Sequence, residues 1–277
     1  MTLPTFYTPQ VDVEDLKQRE DAVWPATVET APLGIDFNDA HHKKVITRWF
    51  PKYIGLYDYP DEGEVNDDLD HYFTHNGIFE MLDSRALLVL LNAWKPNRLL
   101  EIGSGMSTLL SADINRRMLA GKMRLECVEP YPPGYLKNIE NQIDDFHQER
   151  VEFLPFSLFE SLRAGDILFV DSSHVSKTGS DVNFLFFEVF PRLRSGVRVH
   201  VHDIFLPYEY PKPWVIGQGR SWNEQYLLRA LLMGGSIFKV LFGGHYAFWR
   251  FRNEVIQALN HADGAGYGGG SFWMERR

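Results

Sequence analysis

Residues 99–105, LLEIGSG, set an apolar run directly against a turn with two glycines two positions apart. Such a turn reverses the backbone tightly and leaves no Cβ in the way of a ligand. Ser107 and Thr108 follow and open a helix. The first N–H groups of a helix have no intrahelical partner and receive polar ligand atoms. A strand that passes through a glycine turn into a helix is the opening unit of a parallel α/β sheet.

The rest of the chain agrees with that start. From about residue 76 onward short apolar runs alternate with helical stretches, as in a parallel sheet with crossover helices. The pattern predicts helices over 83–94, 107–119, 134–142, 178–190, 221–233 and 253–260. It predicts strands over 98–102, 124–128, 151–154, 166–170, 197–202, 237–242 and 271–274. Thr178 with Asp181 and Ser221 with Glu224 have the spacing of helix-capping pairs. The expected fold is α/β: a Rossmann-like, doubly wound, mostly parallel seven-stranded sheet, its last strand antiparallel, with helices on both faces. Residues 1–75 are rich in Pro, Asp, Glu and aromatics, with little periodicity. They read as an N-terminal extension, a lid or a subunit contact in a homodimer, ahead of a single domain over 76–277. The acidic run 58–70 reads as a solvated loop, and 264–270 as a flexible turn without chemistry.

The chain carries 37 acidic against 28 basic residues, a formal net charge of −9. That charge repels phosphate backbones, so a nucleic-acid partner is not expected, and a small-molecule partner is. The lone cysteine, Cys127, forms no intramolecular disulfide and reads as a buried strand thiol. Residues 1–5 show no basic segment leading into an apolar core, and apolar runs such as 86–93 are too short to span a bilayer. A soluble, cytoplasmic protein without membrane contact is the expectation.

The glycine turn lacks the third glycine of a dinucleotide fingerprint, because that position is Thr108. Glu101, just before the turn, sits poorly beside a diphosphate and suits a cationic ligand. Glu129 ends the second strand about 24 positions past Gly105, where a carboxylate accepts hydrogen bonds from ribose hydroxyls.

LLEIGSGMST followed by ECVEP resembles motifs I and II of class I S-adenosylmethionine-dependent methyltransferases. The stretch 166–211, DILFVDSSHVSKTGSDVNFLFFEVFPRLRSGVRVHVHDIFLPYEYP, resembles the bacterial methyltransferase type 24 family. Residues 76–79 and 222–226 fit as well, so the resemblance runs from about Asn76 to the C-terminus. It implies S-adenosylmethionine as cofactor, with Glu101, Gly103, Gly105 and Ser107 around its methionine end and Glu129 at the ribose. Many class I enzymes place an acid after strand 3 near the adenine. The stretch 154–157 holds none, which leaves Ser157 or backbone groups for that role. The family's branch includes enzymes suspected of methylating sugars or other small hydroxylated molecules, so O-methylation of such an acceptor, a sugar or a natural product, is the leading function.

Strand 4 ends in Asp171-Ser172-Ser173-His174, and strand 5 in His202-Asp203. In an open parallel sheet these ends border the ligand crevice. Removing a hydroxyl proton needs a base or a metal. His174 is the candidate base, with Asp171 and Asp203 beside it, Asp171 also being placed to reach the cofactor's amino group. The three-residue spacing of Asp171 and His174 resembles that of metal-dependent catechol-type methyltransferases. This implies Asp171 and Asp203 as ligands of a hard cation such as Mg²⁺. In those enzymes Asp or Asn follows the strand-5 aspartate, whereas here Ile204 does. His200 reads as an interior histidine, and His202 as either interior or acceptor-facing. The proline-braced aromatic loop 205–214 and the following helix put Tyr208 and Trp222 forward as acceptor-binding residues. Two further readings stay open: an iron-dependent hydroxylase using His174, His202 and a carboxylate, and a non-catalytic cofactor-binding subunit.

Overall fold

A computed structural model describes residues 8–235, 237–259 and 268–277. Its centre is a seven-stranded sheet in the order β3-β2-β1-β4-β5-β7-β6. The strands are β1 (Arg98–Ile102), β2 (Arg124–Val128), β3 (Asp145–His147), β4 (Ile167–Val170), β5 (Arg198–Val201), β6 (Phe238–Gly243) and β7 (Phe272–Arg276). Among the described strands only β7 runs against its neighbours, β5 and β6. This is the Rossmann-like arrangement expected from the sequence. The inner strands are buried along nearly their whole length, as strands covered on both faces must be.

The chain winds outward from β1 through β2 to β3, then crosses back to β4. The order therefore reverses between β1 and β4. Ile102 stands level with Val128 and Val170, and Val170 with Val201. The ladder continues one residue further through Gly103 N to Val128 O, Asp171 N to Ile102 O and His202 N to Val170 O. The four residues that follow these strands, Gly103, Glu129, Asp171 and His202, consequently emerge in one row along a single edge of the sheet.

Helix Met81–Trp94 is apolar nearly all round, and its residues 82–92 are buried throughout, the pattern of a helix enclosed on every side. Part of its cover comes from the N-terminal extension. Phe37, Val45, Ile46, Phe50, Leu69, Tyr72 and Phe73 belong to the same hydrophobic core as the sheet. A second, smaller apolar cluster forms where Val11, Leu16 and Trp24 pack against Phe205, Tyr210, Val215, Trp214 and Trp222. There Val11 N donates to Ser221 Oγ at 3.0 Å, and Trp24 Nε1 to the Tyr210 carbonyl at 2.8 Å. No helix among the described residues is long and apolar enough to cross a membrane.

Three local expectations need correction. Strand 3 is Asp145–His147, not 151–154; Val151–Phe153 is a single 3-10 turn. A three-residue edge strand paired only with β2 needs no continuous apolar run, so its polar sequence carries no strand signal. The helix after β4 is capped by Ser180, whose side chain accepts from Asn183 N, not by Thr178. Asp181 instead accepts from Ser173 N and Oγ. The helix predicted from Ser221 begins at Glu224, and Glu224 is not a capping partner but a partner of His174. The expected end of the 253–260 helix at Asn260, and most of the 264–270 turn, lie outside the described residues; the helix there is Arg252–Leu259.

Candidate active site

A cleft of about 450 Å³ opens along the row at the reversal point, within the ~300–1,000 Å³ range of small-ligand sites. Ile102 and Gly103 at the end of β1, Val128 to Tyr131 at the end of β2, Arg150 to Glu152 after β3, and Asp171 to Ser173 after β4 line it. Gly103 sits at φ +87°, and a Cβ on it would fall 1.7 Å from the Asp171 carbonyl oxygen. The turn is possible only with glycine there. The Glu129 carboxylate accepts from Ser104 N at 3.3 Å and from Tyr131 N at 2.7 Å. It is thereby held facing the turn.

Several residues expected at the cofactor do not line this cleft. Glu101 is fully buried, with one oxygen accepting from Ser107 Oγ at 2.5 Å and the other from Thr108 Oγ1 at 2.7 Å. Burial pushes its carboxyl up to about 7, against the pull of those two hydroxyls. Glu101 and Ser107 therefore brace the glycine turn from behind. Gly105 caps the helix, its N–H donating to Thr108 Oγ1 at 2.9 Å. Ser157 is exposed on the short helix Phe156–Glu160. The acid that seemed missing after strand 3 is Glu152, on the cleft wall with Val151 and Arg150. It escapes notice once strand 3 is drawn through it.

At the next strand ends the structure gathers Asp171, His174 and Asp203. His174 Nε2 lies 3.3 Å from Asp171 Oδ1 and 3.4 Å from Asp203 Oδ2, while Nδ1 lies 3.0 Å from Glu224 Oε2. His174 and Glu224 are buried, and Asp171 and Asp203 keep a small part of their side chains open. Burial lowers the His174 pKa, but Asp171 and Glu224 outweigh it and hold the imidazole well above its ordinary value. Burial raises Asp171, yet the surrounding histidines hold it below the usual carboxylate range. Asp203 and Glu224 are both pushed up by burial. The backbone is left-handed at His174 (φ +59°) and at Asp203 (φ +57°), and such non-glycine conformations cluster at functional sites.

Asp203 is fixed from outside the sheet. Ile204 N donates to the Gly270 carbonyl at 2.9 Å, and Gly270 N and Ser271 N donate to the Asp83 carboxylate at 2.8 and 2.7 Å. A Cβ on Gly270 would fall 2.9 Å from the Asp203 backbone. Neither Asp83 nor Glu224 stands out in the sequence as a site residue. One looks like a helix start and the other like a cap.

The three residues expected at the acceptor are dispersed. Trp222 packs on His174, ring centroids 4.4 Å apart. His202 lies against Phe79, with Nε2 3.7 Å from Asp203 Oδ1, and is outside the Asp171–His174–Asp203 set. Tyr208 faces a separate aromatic groove of about 430 Å³ with Phe205, His245, Phe248 and Trp249. His200 is interior, stacked on Phe169 at 3.7 Å and 3.1 Å from Ser271 Oγ. Burial lowers its pKa far enough to keep it neutral.

A family profile described as a methyltransferase domain matches residues 100–204, the span from β1 to just past Asp203. A relative of uncharacterised function from Archaeoglobus fulgidus is 31% identical over 178 residues, 62% of this chain and 80% of its own length. Among solved structures, a putative protein-L-isoaspartate O-methyltransferase from Plasmodium falciparum, in complex with S-adenosyl-L-homocysteine, aligns with a TM-score of 0.32 at 15% identity. That alignment covers 69% of this chain and 81% of the other. The glycine turn, the strand-end carboxylates and the profile match fall in the same stretch of sheet, so residues 100–204 are a segment of the methyltransferase-domain family, and the chain as a whole shares the family of the uncharacterised archaeal relative.

Proposed function

We propose that the protein methylates a hydroxyl group of a small acceptor, such as a sugar or a natural product. The observation that carries the reading is that Asp171 belongs to two sites at once. It lines the cofactor cleft and also lies within 3.3 Å of His174. In this reading, groups able to draw off a proton stand directly beside a methyl donor held in that cleft.

The cleft fits S-adenosylmethionine on its own features. Gly103 leaves room that a side chain would fill, Glu129 offers a carboxylate suited to a ribose diol, and Glu152 with the Val151 backbone faces the far end suited to adenine. When bound, the cofactor supplies an electrophilic methyl carbon. The chain's own part is to hold the acceptor hydroxyl near Asp171, exclude water with the Trp222 wall, and take up the hydroxyl proton at the Asp171–His174–Asp203 cluster. In the metal-free cluster His174 Nε2 is the base in this reading, acting from the neutral form of the ring, which the Asp171 and Glu224 carboxylates disfavour. The net charge of −9 disfavours polyanionic acceptors.

The test has two parts. Titration calorimetry with S-adenosylmethionine and S-adenosylhomocysteine reads cofactor binding. A methyl-transfer screen over sugars, phenols, amines and peptides, with and without EDTA, reads the acceptor. Turnover confined to amines or peptides overturns the O-methylation reading.

A further inference from the structure

We propose that Asp171, His174 and Asp203 are the ligands of a divalent transition-metal ion, with Glu224 as the carboxylate that orients the histidine. One oxygen of each aspartate and a His174 ring nitrogen all lie within 4.8 Å of one another. Metal–ligand bonds of about 2.1 Å put neighbouring donor atoms about 3.0–3.4 Å apart. The two separations from His174 Nε2, 3.3 and 3.4 Å, have that size.

As hydrogen bonds the same contacts are poor. Charge-assisted N–H···O bonds run at about 2.7–2.9 Å, and a single proton on Nε2 cannot point at two oxygens. A cation between the three atoms satisfies all of them. On the other side of the ring, Glu224 Oε2 sits 3.0 Å from Nδ1. A metal-ligating histidine ordinarily gives its second N–H to a carboxylate in this way, which fixes the tautomer. Glu224 is fully buried, and its Oε1 has no partner, a placement hard to explain by packing.

The donor set, two carboxylates and an imidazole, favours a first-row transition ion such as Mn²⁺ over Mg²⁺ or Ca²⁺, which prefer all-oxygen shells. His202 is outside the set. The inference rests on the proposed reading for location and replaces its base: with an ion bound, His174 Nε2 would be a ligand, the cation would lower the pKa of a nearby hydroxyl, and the hydroxyl proton would pass to water.

The experiment is metal binding, read apart from turnover. EDTA-stripped protein is titrated with MnCl2 and followed by calorimetry and by the electron paramagnetic resonance signal of free Mn²⁺. One saturable site is expected, with Mg²⁺ at least tenfold weaker. Asp203→Asn and His174→Ala should each weaken Mn²⁺ more than tenfold, and Glu224→Gln about 10–100-fold. Glu188→Ala, on an exposed surface, should leave it unchanged. Titration with S-adenosylmethionine checks that each variant is folded. The assignment is overturned if wild type binds no Mn²⁺, or if Asp203→Asn binds it as tightly as wild type. Mn²⁺ binding without methyl transfer to any acceptor would sink the proposed function and leave the site. Methyl transfer without Mn²⁺ binding would do the reverse.

Discussion

The carbonyl oxygen of Asp171 occupies the space that a side chain on Gly103 would need, 1.7 Å from where its Cβ would stand. This contact joins the ends of β1 and β4, so the glycine turn and the cluster carboxylate have their positions set together.

Gly103→Ala therefore meets both a clash with backbone and a left-handed φ, the latter alone costing about 1–2 kcal/mol. The expected outcome is a melting temperature lower by at least ~5 °C and no measurable S-adenosylmethionine binding. Gly105 is extended at φ −177°, and a Cβ there would lie 3.4 Å from the Tyr135 hydroxyl. Gly105→Ala should be much milder. Equal losses in the two variants would contradict the assigned contact.

Glu129 is the cleft carboxylate suited to the ribose. Replacing it by Ala removes charged hydrogen bonds worth ~1.5–3 kcal/mol, so the cofactor Kd should rise roughly 10–100-fold in calorimetry. Unchanged affinity would remove Glu129 from the cofactor site.

His174→Ala should lower methyl-transfer turnover at least ~100-fold while S-adenosylmethionine affinity stays within about twofold, because His174 does not line the cleft. Rates are measured at saturating cofactor. Full activity in this variant would exclude His174 from the chemistry.

Glu101 makes stability depend on pH. Its carboxyl is raised by burial from 4.5 to about 7 in the folded chain. Between those values the folded state holds a proton that the unfolded state has lost. Stability from this group is therefore full below about pH 4.5, falls as pH rises, and levels off above about pH 7, a swing of up to ~3 kcal/mol. Glu101→Gln removes that slope, so its melting temperature should gain on wild type from pH 5 to 7.5. Parallel melting curves across that range would contradict the assignment.

Six of the seven described strands and the strand-end residues Gly103, Glu129, Asp171 and Asp203 were legible in the sequence, because an apolar strand, a turn and a helix each leave a strong periodic mark. What escaped has a common cause. Glu224 and Asp83 act across 50 and 187 residues, on His174 and on Gly270 respectively, and no local pattern encodes a partner at that distance. Glu224 also satisfied a capping pattern, so a sufficient local explanation hid a tertiary one. Glu152 was lost because β3 is a short polar edge strand, and an apolar stretch nearby took its place. Glu101 had the right position but the wrong aim, since only the fold shows Ser107 and Thr108 closing over it.

The contacts from Val11 to Ser221 and from Trp24 to Tyr210 span 210 and 186 residues. They impose an order of assembly. In synthesis from the N-terminal side, residues 8–24 are made well before the loop after β5 and wait until that loop exists. The cleft at the ends of β1, β2 and β4 is lined by residues no later than Asp181 and needs no part of that loop. The wall that carries Trp222 closes only when residues 8–24 return to meet it.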